Sequence, residues 1–175
     1  MTVEKALVVG ATGMVGTRLV ENLIRREWSV VGLCRQPPKT SGGVDYVSVD
    51  LLSSDSCDKI SGALQDVTHV FYAARAKHGE GGIEPVQENL IMLENIVELV
   101  NATSPGLRHI HLVHGAKYYG AHLGHYKTPA KEDDPRHASP NFYYDQQDFI
   151  AQRSGAWDWS MTAAVLVSES CASTC

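Results

Sequence analysis

Two residues in the second half of the chain, Tyr143 and Lys117, are of types that move protons at carbonyl groups. Lys117 lies in the segment Gly115–Gly120, which follows a predicted strand, and Tyr143 lies in the segment Asn141–Asp145, at the start of a predicted helix. An ammonium group beside a phenol stabilises the phenolate, so Lys117 is expected to lower the pKa of Tyr143 and make it a proton donor. The alternative is a packing aromatic residue and a solvent-exposed lysine.

A glycine-rich loop near the start of the chain is the second place where chemistry is expected. The apolar run Ala6–Val9 leads into Gly10–Gly16, whose glycines have the spacing Gly-x-x-Gly-x-x-Gly. Strand, glycine turn and helix together form the site at which a dinucleotide pyrophosphate binds. We expect Gly10 to allow the tight turn, Gly13 the approach of backbone to phosphate, and Gly16 the packing of helix on strand. A plain strand-to-helix turn is the alternative.

Apolar periodicity places these candidates within alternating strands and helices. A serine N-cap at Ser139 with Pro140 at the first helical position predicts the start of the last helix. The alternation predicts an α/β fold, a doubly wound parallel sheet of the Rossmann type, in which ligands bind beyond the carboxyl ends of the strands. The predicted strands cover 6–9, 29–34, 44–49, 67–74 and 107–114, and the predicted helices cover 14–26, 55–65, 85–100 and 140–154.

Residues that follow the predicted strands indicate which dinucleotide would bind. Arg35 follows the second strand, where an NAD enzyme commonly has an acidic residue for the ribose 2′-hydroxyl. Because arginine can pair with a 2′-phosphate, we favour NADPH, with NADH as the other possibility. Asp50 ends the third strand and could hold the adenine amino group, and Ala73 ends the fourth, where a small residue lets a nicotinamide ribose come close. Lys117 could hold that ribose.

Composition excludes several classes of protein. The 175 residues are 43% apolar with a net charge of -5, which predicts one globular domain over residues 1–167 with a tail at 168–175. The negative charge gives no reason to expect a nucleic acid or an anionic membrane as a partner. The chain has no signal-peptide pattern and no apolar run of about 20 residues, so we expect a cytoplasmic protein with a small-molecule substrate.

Cysteine and histidine patterns do not predict a metal site or a disulfide framework. The four cysteines are irregularly spaced, so free thiols are expected. Five of the eight histidines lie between His109 and His125. Strand parity places His109 and His111 on one face and His114 on the other, with no carboxylate among them, so we expect no metal to bind there.

Three segments resemble a known family. Residues 66–72, 115–120 and 141–145 are similar to the motifs of the progesterone 5β-reductase and iridoid synthase-like group of short-chain dehydrogenases/reductases, an atypical, epimerase/dehydratase-like group. The Tyr-x-x-x-Lys of ordinary short-chain dehydrogenases is absent, as this resemblance predicts, since Gln147 follows Tyr143 and Asp148 follows Tyr144 at that spacing.

The resemblance implies an oxidoreductase that uses NADPH to reduce an activated C=C bond in an enone or enal. Tyr143 would stabilise the enolate oxygen, and Lys117 is the family's lysine. Carried over residue by residue, the resemblance assigns the remaining roles as follows: Gly10, Thr12, Gly13, Met14 and Val15 to pyrophosphate and ribose, Arg35 to the 2′-phosphate, and Asp50 and Leu51 to adenine.

Two departures from the family affect the expected activity. The chain reads Gly120-Ala121-His122 where the family has Gly-Pro-Phe, which alters a wall of the substrate pocket. After Thr162 it lacks the family's Arg-Pro motif, although Val165–Val167 can complete a sixth strand. We expect the substrate-binding C-terminal region to be largely missing, by natural shortening or by a frame or splicing change. The alternative function is therefore an isomerase or cyclase acting on a reactive enol or enone, or a non-catalytic binding protein.

A missing C-terminal region would expose apolar surface, which self-association can cover. We therefore predict a homodimer. Light scattering coupled to size-exclusion chromatography should give twice the 19.1 kDa chain mass at micromolar concentration. A clean monomer peak would contradict the prediction.

Overall fold

The predicted parallel sheet is confirmed by the computed structural model, which describes residues 4–79, 84–153 and 155–164. Its order, β3-β2-β1-β4-β5-β6, is that of a doubly wound Rossmann sheet, and every neighbouring pair is parallel. The strands are β1 (Lys5–Val9), β2 (Ser29–Cys34), β3 (Asp45–Ser48), β4 (His69–Tyr72), β5 (His109–Gly115) and β6 (Asp158–Ala164).

Helices cover both faces of the sheet. They are α1 (Met14–Arg25), α2 (Ser54–Asp58), α3 (Val86–Thr103) and α4 (Phe142–Arg153), with 3-10 turns at Ser61–Leu64 and Ala116–Tyr119. In β1, Leu7 and Val9 belong to the apolar core on one face, whereas Ala6 and Val8 belong to the core on the other. Strand alternation explains this division, because successive side chains point to opposite faces.

The prediction of one helix over 55–65 is wrong. The structure has the short helix α2, which Ser53 caps by accepting a hydrogen bond from the Ser56 amide, and then a separate 3-10 turn. Serine, aspartate and glycine are weak helix formers, and this stretch is rich in them. A single continuous helix therefore has little intrinsic support.

The predicted start of the last helix is also wrong, by two residues. Helix α4 begins at Phe142, and the Asn141 side-chain oxygen accepts a hydrogen bond from the Tyr143 amide at 3.1 Å. The Asn141 side-chain amide donates to the Lys117 carbonyl at 2.9 Å. Asparagine and serine are comparable N-caps, so this tertiary contact selects Asn141. Tyr143 and Tyr144 still lie in the first turn, as predicted.

The described sixth strand lies at 158–164 and pairs along its length with β5. The predicted completion at Val165–Val167 and the predicted tail at 168–175 lie outside the described residues. Within the described part of the chain, no helix has both the length and the hydropathy needed to cross a lipid bilayer.

A close backbone contact holds α1 on the loop after β1. A Cβ atom at Gly16 would lie 2.1 Å from the carbonyl oxygen of Gly10 and 2.9 Å from the Ala11 Cα atom. Neither atom can move without shifting the loop. Gly16 is therefore required for the helix-to-strand packing predicted for it.

Replacing Gly16 with alanine should lower the free energy of unfolding by about 1–3 kcal/mol, because the clash outweighs the better helix propensity of alanine. Gly62→Ala is the matched control, since nothing lies within 4 Å of a Cβ atom there. Urea denaturation of both variants measures the effect. Equal midpoints would contradict the packing argument.

Candidate active site

A groove of about 670 Å³ runs along the carboxyl ends of the strands. Seven of the residues predicted to hold the dinucleotide line it: Gly10, Thr12, Gly13, Arg35, Asp50, Leu51 and Ala73. Of the other two, Met14 is 70% exposed at the start of α1, and Val15 lines an adjoining cavity. The structure thus gathers the predicted residues around one groove and its rim.

Backbone amides at the start of α1 lie at the rim of the groove. The Gly13 amide is used within the loop, where it donates to the Gly10 carbonyl at 3.0 Å. The first bond inside the helix runs from the Thr17 amide to the Gly13 carbonyl, so the amides of Met14 and Val15 precede the helical ladder. No acidic residue lies in the first turn to offset the positive end of the helix dipole. These features fit a pyrophosphate.

The opposite end of the groove carries one cation and one anion from the predicted set. Arg35 is exposed, and its guanidinium makes no hydrogen bond or ion pair with the described residues. Asp50 uses one carboxylate oxygen to accept from the Leu52 amide at 3.0 Å, which fixes its turn. Arg35 is thus available to an anionic group in the groove.

A smaller cavity of about 160 Å³ adjoins the groove. Ala73, Ala74 and Arg75 line both spaces, because they follow β4 and pass between them. The remaining lining comes from the start of α1, the end of β5 and the N-terminal part of α4: Val15, Val113, His114, Gly115, Phe142, Tyr143 and Gln146. Tyr143 therefore lies beside the end of the groove that Ala73 marks.

Tyr143 is held between two aromatic rings and is only 9% exposed. Its ring centroid lies 4.3 Å from that of His114 and 4.2 Å from that of Phe142. Burial raises the pKa of Tyr143, and this outweighs the Arg75 charge and a hydrogen bond from the Gly115 backbone, which both lower it. The phenol therefore stays protonated at neutral pH.

The prediction that Lys117 lowers the pKa of Tyr143 is wrong, because Lys117 is not among the groups that act on this phenol, and burial raises its pKa. The Lys117 ammonium instead donates to a Glu84 carboxylate oxygen at 2.6 Å. Glu84 also accepts from Arg75 Nε at 3.0 Å, and His78 lies 3.6 Å away. Although burial opposes it, Lys117 and Arg75 together hold the pKa of the Glu84 carboxyl below its usual value.

Sequence reasoning missed Arg75 and Glu84. Arg75 comes two residues after the predicted strand-end alanine, Ala73, and Glu84 comes immediately before the predicted third helix. Both positions lie at the carboxyl edge of a parallel sheet, where ligands bind. Position relative to the strands was therefore the signal that could have identified them.

A buried chain of amide side chains determines the protonation of His114. The Asn89 side chain accepts from the Ala76 amide and donates to the Pro85 carbonyl, which orients it. The Gln146 side-chain amide donates to the Asn89 backbone carbonyl at 2.9 Å, leaving its oxygen to face His114 Nε2 at 3.2 Å. His114 Nε2 must therefore carry the proton. Nδ1 is buried and accepts from no described residue.

The other singled-out aromatic and histidine residues have structural contacts. Tyr144 donates its hydroxyl proton to the Tyr118 carbonyl at 2.6 Å, as expected of a packing residue. His109 and His111 share one face and both contact the Ser160 hydroxyl at 2.8 Å. Across the described ranges, no three metal-binding side chains come close enough together to hold an ion.

The pH dependence of stability should report on the His114 network. Burial lowers the pKa of His114 to about 4, whereas an unfolded histidine has a pKa near 6.5. As pH falls from 6.5 to 4, the unfolded chain takes up a proton that the folded chain does not, so the free energy of unfolding falls, by about 2–3 kcal/mol at pH 4.5.

His114→Phe keeps an aromatic ring against Tyr143 but cannot titrate. Urea denaturation at pH 7 and pH 4.5 should show a smaller loss of stability in this variant than in the unsubstituted protein. An identical loss in both proteins would show that His114 does not titrate as the structure predicts.

Known structures share this fold. A short-chain dehydrogenase/reductase superfamily protein from Agrobacterium tumefaciens with bound NAD has a TM-score of 0.72 at 22% identity, covering 91% of this chain and 48% of that one. UDP-glucose 4-epimerase from Thermus thermophilus, in complex with NAD, has a TM-score of 0.71 at 20% identity, covering 91% of this chain and 54% of that one. At these identities the likeness shows the fold alone.

Curated plant proteins are more similar in sequence. The (S)-8-oxocitronellyl enol synthase of Antirrhinum majus is 32% identical over 93% of this chain, and the enol synthase ISY1 of Nepeta racemosa is 35% identical over 89%. The 3-oxo-Delta(4,5)-steroid 5-beta-reductase of Arabidopsis thaliana is 34% identical over 83%. The chain spans 40–45% of the length of these relatives.

These relatives confirm the resemblance stated from the three sequence motifs. The sequence model of the NAD dependent epimerase/dehydratase family matches residues 6–155. That match covers most of the described sheet, including the glycine loop, the Lys117 segment and the helix that carries Tyr143. The chain therefore belongs to the NAD dependent epimerase/dehydratase family.

Proposed function

We propose that the chain binds NADPH in the 670 Å³ groove and reduces the activated C=C bond of a small enone or enal. The observation that carries this proposal is the wall that the groove shares with the Tyr143 cavity, formed by Ala73, Ala74 and Arg75. This wall brings a protonated phenol next to the end of the groove expected to hold nicotinamide. The similarity to enol synthases and a steroid 5-beta-reductase supports the reaction class.

The residues of the groove fit the parts of NADPH. The amides of Met14 and Val15, at the uncompensated N-terminus of α1, would bind the pyrophosphate. Arg35 would pair with the 2′-phosphate, and the free oxygen of Asp50 would accept from the adenine amino group. When bound, the cofactor supplies a hydride. We favour NADPH over NADH because Arg35 can pair with the 2′-phosphate that NADH lacks.

Tyr143 would bind the substrate carbonyl oxygen. As hydride adds to the β-carbon, the electrons of the C=C bond move toward that oxygen, and an enolate forms. A protonated phenol donates a hydrogen bond to the developing negative charge and lowers the barrier without full proton transfer. The raised pKa of Tyr143 suits this role, since it keeps the donor proton in place at neutral pH. A proton from water then adds to the α-carbon, the carbonyl re-forms, and the reduction is complete.

A second candidate function follows from the contact between Lys117 and Glu84. The lysine that the family resemblance assigns to catalysis has its ammonium on a carboxylate, 2.6 Å away. This contact favours a protein that has lost hydride transfer and acts on a reactive enol or enone as an isomerase or cyclase, or binds such a compound without catalysis. Cofactor binding separates the two candidates.

Calorimetric titration should show NADPH binding at micromolar concentration and more tightly than NADH. Arg35→Ala should weaken NADPH binding about tenfold or more and leave NADH binding unchanged, because a charge-assisted bond to the 2′-phosphate contributes about 1.5–3 kcal/mol. Arg18→Ala is the control, since Arg18 is an exposed arginine paired with Glu21 on α1. If neither dinucleotide binds, the second candidate replaces the reductase.

Tyr143→Phe should lower kcat for NADPH-dependent enone reduction by about 100-fold or more, because it removes the donor to the enolate oxygen and little else. NADPH oxidation followed by absorbance measures the rate. Tyr46→Phe is the control and should keep the original rate. Tyr46 lies on β3 and lines neither the groove nor the Tyr143 cavity. An unchanged rate in Tyr143→Phe would remove Tyr143 from the mechanism.

A further inference from the structure

Arg75 occupies a position that the sequence motifs do not assign. It follows β4 and lines both the dinucleotide groove and the Tyr143 cavity. Among the described residues, Arg75 is the charged residue that lines both spaces. Arg75 thus lies at the junction where the cofactor, the substrate and the Tyr143 phenol would meet.

Glu84 holds Arg75 at the junction. Its Oε1 atom accepts from Arg75 Nε at 3.0 Å, and His78 contacts the far end of the same guanidinium. The Glu84 side chain is 20% exposed and the Arg75 side chain 37%, so solvent screens the pair only in part. The Glu84 carboxylate thereby restricts the orientation of the guanidinium, because a guanidinium is planar and its N–H groups donate in fixed directions.

Lys117 is placed differently. Its ammonium lies on the other Glu84 oxygen, Oε2, at 2.6 Å, and Lys117 lines neither of the two cavities. The Glu84 carboxylate thus pairs both with Arg75, which lines the wall, and with Lys117, which does not. Only one of these two cations borders the space into which Tyr143 opens.

We propose that Arg75, positioned by Glu84, is the cation that acts on the Tyr143 hydroxyl and on the oxygen bound there. This role extends the proposed reductase function, and its importance for catalysis rests on that function. A positive charge at the cavity wall stabilises the negative charge that develops on the carbonyl oxygen as the enolate forms. Tyr143 then donates the hydrogen bond to this oxygen, while the charge of Arg75 provides a positive electrostatic potential there.

Groups from every element around Tyr143 bear on this assignment. From β5, the His114 ring stacks on Tyr143 and is neutral above pH 5, since its pKa is about 4. Helix α4 adds the apolar Phe142, and α1 adds the apolar Val15. The charges that reach the phenol are those of Arg75, which lowers its pKa, and Glu84, which raises it. Lys117 is paired with Glu84 and is not among the charges that shift the pKa of Tyr143.

The test reads the Tyr143 phenol directly. Every tyrosine is replaced biosynthetically by 3-fluorotyrosine, whose lower pKa brings the titration into a range where the protein stays folded. The Tyr143 signal in the fluorine NMR spectrum is assigned by its loss in Tyr143→Phe. The titration is recorded without cofactor or substrate, so its outcome does not depend on whether the protein reduces enones.

Arg75→Gln should raise the pKa of Tyr143 by on the order of 0.5–1 unit, because it removes the facing positive charge. Arg75→Lys should restore most of the original value, which a merely structural role would not predict. Lys117→Gln should change it by less than about 0.2 unit, since that charge is paired on Glu84. Glu84→Gln should lower it, because its oxygen still accepts from Arg75 while the anion is gone.

Glu98→Gln is the matched control. It removes an exposed carboxylate from helix α3 that pairs with Arg153 at 2.5 Å, away from the Tyr143 cavity. The signals of the other tyrosines show whether each variant is folded. The proposal is overturned if Arg75→Gln leaves the pKa of Tyr143 unchanged, or if Lys117→Gln raises it as much. Failure of NADPH to bind would instead overturn the reductase proposal alone.

Discussion

The contact of α1 with the loop after β1 is the constraint on which the site depends. The backbone at Gly16 lies so close to the Gly10 carbonyl that no Cβ atom fits between them. Gly10 itself has φ +84, and a Cβ atom there would lie 2.9 Å from the backbone of Ala74, beyond β4. Two glycines thus let α1, the loop after β1 and the strand end at β4 converge. The helix N-terminus, the groove and the wall shared with the Tyr143 cavity all follow from this convergence.

A second set of contacts joins the far side of the cavity to that wall. The Asn89 side chain accepts from the Ala76 amide, Gln146 donates to the Asn89 carbonyl, and His114 donates to Gln146. All three side chains are almost fully buried, so each hydrogen bond avoids the cost of an unpaired polar group in the core. The chain connects the loop after β4 with α3, α4 and β5. It holds the ring against which Tyr143 stacks.

The electrostatics of the cavity follow from burial more than from any single charge. Burial raises the pKa of Tyr143 and lowers that of His114, so both groups are neutral near pH 7. A neutral phenol donates a hydrogen bond, which suits stabilisation of an enolate better than it suits proton abstraction. Arg75 lines the cavity and pairs with Glu84, which also pairs with Lys117, so these three charges partly neutralise one another.

The sequence by itself determined the α/β alternation, the parallel sheet, the glycine loop and seven of the residues that line the groove. It could do so because apolar periodicity and glycine spacing are local properties, and parallel strands bring their carboxyl ends to one edge. The placement of Tyr143 in the first turn of the last helix was predicted for the same reason, even though the cap proved to be Asn141.

Only the tertiary structure decided which groups meet. Asn141 caps α4 instead of Ser139 because its amide also reaches the Lys117 carbonyl, 24 residues away in sequence. Lys117 is paired with Glu84 and not with Tyr143, and Arg75 lines the Tyr143 cavity in its place. Such choices depend on distances between segments remote in sequence and on how deeply each group is buried. Local patterns carry neither quantity, so the chemistry of the site is set by packing.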